Sequence, residues 1–195
     1  MLQKEPLMEL WIILGVIIAL ALFLITLYNR LVALRQNRKN AFADIDVQLK
    51  QRFDLVPSLV ETVKGYAGHE KEIFEKVTQM RAKVKEAGSE GERLQAETGL
   101  GQALINLNAV AENYPDLKAD QNFQQLMAEL SDIENKIAAA RRFFNNATSE
   151  FNTAIQQFPA NLIAGNFGFK TEEFFEVDED QREALEKAPN VKFGT

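Results

Sequence analysis

The sequence predicts an all-α protein, with an N-terminal transmembrane helix followed by a long antiparallel four-helix bundle and an extended C-terminal tail. Three observations support this prediction: an uncharged apolar run near the N-terminus, several apolar stripes at helical spacing, and no stretch with convincing strand alternation. We expect a short tail over 1–6, the transmembrane helix over 7–28, the bundle over 29–159 and a Phe-rich, acidic tail over 160–195.

The apolar run covers residues 10–27 and reads LWIILGVIIALALFLITL, eighteen residues without a charge. As a helix it would be about 27 Å long, close to the hydrocarbon thickness of a bilayer. A cleaved signal peptide is the alternative, but the small-x-small triplet Ala19-Leu20-Ala21 lies inside the run rather than after it. Trp11 and Tyr28 suit the two interfaces. We therefore expect a retained anchor that contacts the lipid bilayer between Leu7 and Leu27.

Basic residues beside the span favour one orientation. The C-terminal flank carries Arg30, Arg35, Arg38 and Lys39, whereas the N-terminal flank carries Lys4. This excess predicts that the N-terminus is outside and the bundle is cytoplasmic, with an extracytoplasmic bundle as the alternative. The absence of cysteine fits either compartment.

The clearest stripe predicts one long helix that ends the bundle. Its apolar residues follow three-four spacing over five heptads: Phe123, Leu126, Leu130, Ile133, Ile137, Ala140, Phe144, Ala147, Phe151, Ala154 and Phe158. Asp120 is the expected N-cap and Pro159 the stop. Phe144 should be almost fully buried against the first bundle helix, whereas Phe143 should lie on the flank.

Three further segments complete the predicted bundle. The first continues from the membrane with the stripe Leu31, Leu34, Ala41, Phe42, Ile45, Leu49, Phe53 and Val56, interrupted by Arg38. Pro57 should kink or interrupt this helix. The others cover about 69–87 and 92–113, and Gly99 and Gly101 should weaken the latter.

The C-terminal region has a different texture, rich in Gly, Phe and acids. Eight acidic residues and three basic ones follow from Thr171 onward. Four rings are too many to leave in water, so they should pack against the bundle or form a partner-binding strip. They are Phe167, Phe169, Phe174 and Phe175.

No motif in the sequence predicts a reaction or a cofactor. There is no P-loop, no dinucleotide fingerprint and no nucleophile elbow. One histidine and no cysteine make a transition-metal site improbable, and His69-Glu70 lacks the second histidine of a zinc-protease motif because Ile73 stands there. A formal net charge of −6 disfavours nucleic acid as a partner, and nothing indicates a small-molecule substrate.

Five charged residues could form pairs that set helix register. If the first and last bundle helices are neighbours, Asp46 or Asp54 could pair with Arg141, and Arg52 with Glu134. We favour this structural role over a catalytic carboxylate site.

Several motifs resemble the LemA family. They include Tyr28-Asn29-x-Leu31-Val32, the run Ile45-Asp46-Val47-Gln48-Leu49-Lys50-x-Arg52-x-Asp54-Leu55-Val56-Pro57, Tyr114-Pro115-Asp116-Leu117-Lys118-Ala119, Glu134-Asn135-x-Ile137 and Phe167-Gly168-Phe169. The resemblance implies a bacterial, single-pass protein of the cell (inner) membrane with a long helical domain and no catalytic residues to carry over. Some relatives are associated with magnetosome membrane formation.

These observations leave three functional hypotheses. The first is a non-enzymatic scaffold or adaptor that holds a membrane or envelope protein. The second is a membrane-shaping protein that acts by lateral self-assembly as a homo-oligomer. The third, an enzyme, would need Asp46, Asp54 or Glu134 to converge in a pocket with a raised pKa.

Overall fold

The computed structural model describes residues 5–88 and 90–175, without the side chains of residues 5–7 and 90–91. Every regular element in these ranges is a helix, which confirms the all-α prediction. The helices are α1 (Glu5–Tyr66), α2 (Lys71–Glu86), α3 (Glu90–Ala111), α4 (Pro115–Ala119), α5 (Gln121–Gln156) and α6 (Asn161–Ala164). The antiparallel four-helix arrangement stays a prediction.

The chain divides into two compact units. The first, here called the anchor unit, comprises the described residues of Met1–Phe42 and Arg141–Thr195, and the second, the central unit, is Ala43–Ala140. The long helices α1 and α5 each contribute residues to both units. Each unit is therefore considered by itself below.

Helix α1 contains the apolar run and continues without a break for 62 residues. Its apolar side chains from Met8 to Ile25 are largely exposed, and the corresponding window is long and apolar enough to cross a membrane. A helix that is apolar on all sides and unburied is typical of a membrane span.

The predicted interruption of α1 at Pro57 is wrong, because the helix continues to Tyr66. Proline has no N–H to donate to the carbonyl four residues earlier. That carbonyl belongs to Phe53, and Arg81 Nε donates to it at 3.2 Å from α2. The Arg81 guanidinium also lies 4.1 Å from the centre of the Phe53 ring. A tertiary contact thus satisfies the acceptor that proline leaves free.

Helices α2 and α3 lie close to the expected segments and contact each other in the central unit. Gly99 in α3 permits a close approach, since a Cβ at this position would lie 2.9 Å from Met80 Sδ. The expected weakening of α3 does not break the helix. The helical turn α4 was not predicted; it begins at Pro115, and proline is favoured at a first helical position.

Asp120 caps α5, as predicted. The backbone N–H of Phe123 donates to Asp120 Oδ1 at 2.8 Å, and the Tyr66 hydroxyl donates to Oδ2 at 2.9 Å. The N–H of Phe123 lowers the pKa of the Asp120 carboxyl, and the Tyr66 hydroxyl lowers it further.

The stripe of α5 is buried as predicted, with two exceptions. Ala140 is half-buried, and Phe158 lies beyond the helix end and is 79% exposed. Phe144 is buried and its ring meets that of Phe42 edge-on at 5.6 Å, whereas Phe143 is 49% exposed. The predicted difference between these two neighbours is confirmed.

The anchor unit has its own core, built on Leu31 of α1 and Phe151 of α5. The sequence predicted an extended tail from residue 160, and this is wrong at the start of the segment. Helix α6 forms a helical turn there and buries Ala164 in this core. Residues 171–175 have no regular structure, and the acidic stretch beyond them lies outside the described residues.

Candidate functional site

The buried charges of the central unit meet at Arg52. Its Nη2 donates to the carboxylate and, at 2.9 Å, to the backbone carbonyl of Glu97 on α3. Its Nη1 donates to Glu134 Oε1 on α5 at 2.9 Å. Arg52 and Glu97 are almost inaccessible to solvent, whereas the side chain of Glu134 is 42% exposed.

Helical spacing places these side chains in the core. Arg52 lies three residues after Leu49 in the stripe of α1, and Glu97 lies three residues before Leu100 in that of α3. Gly101 leaves room for the guanidinium, since a Cβ there would lie 3.3 Å from Arg52 Nη1. The cluster thus occupies positions that would otherwise carry apolar side chains.

The electrostatics of this cluster keep Arg52 charged. Burial alone would lower the pKa of Arg52, but the charges and hydrogen bonds of Glu134 and Glu97 raise it above the ordinary value. A guanidinium with a raised pKa cannot act as an acid or a base at neutral pH. The arrangement is therefore suited to joining helices rather than to proton transfer.

The structure brings Arg52 and Glu134 together, the pair expected if the first and last bundle helices are neighbours. Glu97 was missed, although its stripe position was a usable signal: a carboxylate at a core position needs a buried cation.

The pairing of Asp46 or Asp54 with Arg141 stays a prediction, and the structure gives both carboxylates a partner within the central unit. Asp46 forms an ion pair with Arg93 at 3.1 Å. Asp54 pairs with Lys50, one turn away on α1, where the i,i+4 spacing makes the contact local. The Arg141 guanidinium lies 4.6 Å from the ring centre of Phe175.

In the anchor unit, the segment 169–175, here called the strap, is bound to α5 through its backbone. Asn152 exchanges two hydrogen bonds with the backbone of Glu172, both at 2.8 Å. Asn145, two turns earlier on α5, does the same with Phe175, at 2.8 and 3.1 Å. Each asparagine amide binds one backbone N–H and one backbone carbonyl, so these contacts do not depend on the side chains of the bound segment.

Arg38 on α1 supplies the third contact to the strap. Its Nη2 donates to the Glu173 carbonyl at 3.0 Å, and Nη1 pairs with the Glu172 carboxylate at 3.2 Å. Its Nε donates to the buried hydroxyl of Thr148 at 3.0 Å, and its guanidinium lies 4.7 Å from the centre of the Phe144 ring. The charge that interrupts the α1 stripe therefore holds the strap in place.

A model of the LemA family matches residues 41–193, which includes the Arg52 cluster and the strap. The chain belongs to the LemA family.

Relatives of this LemA protein include magnetosome proteins. The magnetosome protein MamQ of Magnetospirillum gryphiswaldense is 28% identical over 188 residues, which cover 82% of this chain and 69% of MamQ. The magnetosome protein MamQ 2 of Paramagnetospirillum magneticum is also 28% identical, with 82% and 68% coverage. Protein LemA of Metamycoplasma hominis is 27% identical, with 79% and 71% coverage. Together with the exposed apolar part of α1, these matches indicate a membrane-associated helical protein.

The four phenylalanines of the predicted strip lie in two environments in this LemA protein. Phe169 is buried against Phe151 and beneath the Arg35 guanidinium, and Phe175 is half-buried beside Arg141. Phe167 and Phe174 are 55% and 48% exposed. The strip therefore has two rings that fasten the chain and two that remain accessible.

The part of the chain that the structure describes holds no group of three or more His, Cys, Asp or Glu residues arranged to bind a metal. An open groove of about 680 Å³ in the central unit is lined by Lys64, Lys71, Phe74, Glu75 and Thr78 among others. Glu75 is the carboxylate among these lining residues.

Proposed function

We propose that this LemA protein is a non-enzymatic scaffold that holds a membrane or envelope protein close to the bilayer. The observation that carries the proposal is the strap: side chains of α1 and α5 fix its backbone, and Phe174 remains exposed on it. Because its backbone is already fixed, this segment loses less conformational entropy when a partner binds.

The separation of the candidate carboxylates supports a non-enzymatic role. Asp46, Asp54 and Glu134 pair with three different cations: Arg93, Lys50 and Arg52, respectively. General acid–base catalysis by a carboxylate pair needs both groups within reach of the same reacting bond. These three carboxylates instead form separate ion pairs, one within α1 and two between helices.

Phe174 is the residue of the strap best suited to a partner contact. Aromatic rings contribute disproportionately to binding energy when a partner removes them from water. Neighbouring Phe175 and Glu172 are held by the anchor unit, so the position of Phe174 is set from both sides. The partner chemistry that fits is an apolar pocket able to enclose one ring.

The test is recovery of a partner with the full chain from native membranes in mild detergent, followed by measurement of stoichiometry. Phe174→Ala should abolish recovery of a stoichiometric partner. Phe143→Ala is the matched control, since Phe143 is 49% exposed on α5 and lies outside the strap. Recovery that is equal for both variants, or a partner-free monomer under all conditions, would overturn the proposal.

We further propose an outward N-terminus and a cytoplasmic helical domain, on the basis of the basic flank after the span. In sealed right-side-out vesicles the domain should resist protease, and in inverted vesicles it should be cleaved. The opposite result would place the domain outside the cytoplasm and select an envelope partner.

Membrane shaping by lateral self-assembly is the second candidate function. It is favoured by the relatives that are named magnetosome proteins. Electron microscopy of vesicles reconstituted at high protein density should then show altered curvature, and unchanged vesicles would remove this candidate.

A further inference from the structure

We infer that the turn after α5 is a second membrane-contact site, whose ligand is the interfacial layer of the bilayer that α1 spans. This turn, here called the corner, comprises residues 157–168. The inference concerns lipid contact and does not depend on the scaffold role.

Exposed apolar side chains are concentrated in the corner. Phe158 is 79% exposed, Leu162 is 66% exposed and Phe167 is 55% exposed. Their exposure is not explained by the anchor core, which takes Ala160 and Ala164 from the same segment instead. Three large apolar groups within ten residues form the kind of surface that normally marks a contact site.

The position of the corner on α1 identifies what covers these groups. The ring of Phe167 lies 5.1 Å from that of Tyr28, the residue that directly follows the apolar run. Leu27, the last residue of that run, packs against the core that includes Ala160 and Ala164. The corner therefore lies beside the end of the span.

The length of the run then sets the depth of the corner. Eighteen residues span about 27 Å, so nearly all of the run is needed to cross the roughly 30 Å hydrocarbon layer. Tyr28 must accordingly lie at the interface, where tyrosine is enriched. The exposed ring of Phe167, which contacts Tyr28, lies at this level, and the inference is that the whole corner meets lipid there rather than bulk water.

Charge at the corner fits a lipid interface as well. Lys170, two residues after the corner, and Arg30, two residues after Tyr28, are both exposed. Apolar side chains flanked by cations are typical of segments that lie in the interface, with the cations near the phosphates.

The test uses the depth-dependent quenching of a single tryptophan by brominated phosphatidylcholine. Trp11 is the sole tryptophan of the sequence, so Trp11→Phe gives a background without tryptophan. Phe158→Trp is then added to the full chain, which is reconstituted in vesicles of plain or brominated phosphatidylcholine. We expect blue-shifted emission that loses most of its intensity in the brominated vesicles.

Phe143→Trp in the same background is the matched control. Phe143 is also an exposed ring of α5, but it lies thirteen residues before the helix end, about 20 Å away. Its emission should remain that of a water-exposed indole in both kinds of vesicle. Leu162→Trp, which substitutes a different exposed position, should behave like Phe158→Trp.

Two results would overturn the inference. Water-exposed emission of Phe158→Trp and Leu162→Trp in vesicles would show that the corner lies away from lipid. Blue-shifted emission without bromine quenching would show that protein, such as a second copy, covers it. Trp11 in the unsubstituted chain reports separately on the span itself.

Discussion

Arg38 and Arg52 both replace an apolar residue in the stripe of α1, yet the two units use them differently. In the central unit, Arg52 is buried with the carboxylate of Glu97 and joins α1 to two other helices, to α3 through the carboxylate and carbonyl of Glu97 and to α5 through Glu134. In the anchor unit, Arg38 is partly solvated. It donates to the Thr148 hydroxyl and the Glu173 carbonyl and pairs with the half-exposed carboxylate of Glu172.

The difference leads us to expect that burial, rather than the number of contacts, decides how much each charge contributes to folding. A buried charge that loses its partner bears the full desolvation cost, whereas a solvated one regains water. Arg52 is therefore expected to control whether the central unit folds. Arg38 is expected to control whether the strap stays bound.

The largest effect should follow Arg52→Met, which leaves the buried carboxylate of Glu97 without its cation. The loss of stability should be about 3–5 kcal/mol. The measurement is chemical unfolding of the full chain in detergent, followed by circular dichroism.

The double variant Arg52→Met with Glu97→Leu removes both buried charges. It should recover most of the loss, because apolar residues of similar volume can replace a buried ion pair. If Arg52→Met costs no more than Arg38→Met, the proposed contrast between the two units fails.

Phe144→Ala should be nearly as costly and tests whether the anchor unit depends on packing instead of charge. Removal of this buried ring, which contacts Phe42 and lies beneath Arg38, should cost about 3–5 kcal/mol. Phe143→Ala, at the exposed neighbour, should change stability by about 0.5 kcal/mol or less in the same unfolding assay. Equal losses would show that the heptad register of α5 is wrong here.

Arg38→Met should have the smallest effect on stability, about 1–2 kcal/mol, mainly from the buried Thr148 hydroxyl that loses its donor. Its specific consequence is release of the strap. Trypsin cleavage after the exposed Lys170 should therefore accelerate severalfold in native conditions, as read by mass spectrometry. Arg52→Met should not accelerate this cut at a denaturant concentration where the anchor unit is folded. If both variants accelerate it, the distinction between the roles of Arg38 and Arg52 fails.

Much of the fold could be predicted because helices repeat. Three-four spacing predicted the buried face of α5 from Phe123 to Ala154, and Asp120 was correctly predicted as its N-cap. The same spacing failed at Phe158, because Pro159 disfavours helical backbone at the residue before it. A stripe can thus continue in sequence after the helix has ended.

Long-range chemistry was harder to predict. The continuation of α1 through Pro57 depends on Arg81, which is distant in sequence. No local sequence pattern indicates that its side chain reaches the Phe53 carbonyl. The strap depends on Asn145 and Asn152, whose amides bind backbone atoms that any residue type offers. Sequence patterns record side-chain preference, so contacts made to the main chain leave little trace in them.

The unbroken course of α1 has a mechanical consequence. With no joint between Tyr28 and Phe42, the tilt of the span is also the tilt of this part of the helix. Spans tilt by about 20° to fit the thickness of their bilayer, and over the roughly 21 Å from Tyr28 to Phe42 this swings the far end sideways by about 7 Å. A change in bilayer thickness is thereby converted into lateral movement above the membrane surface.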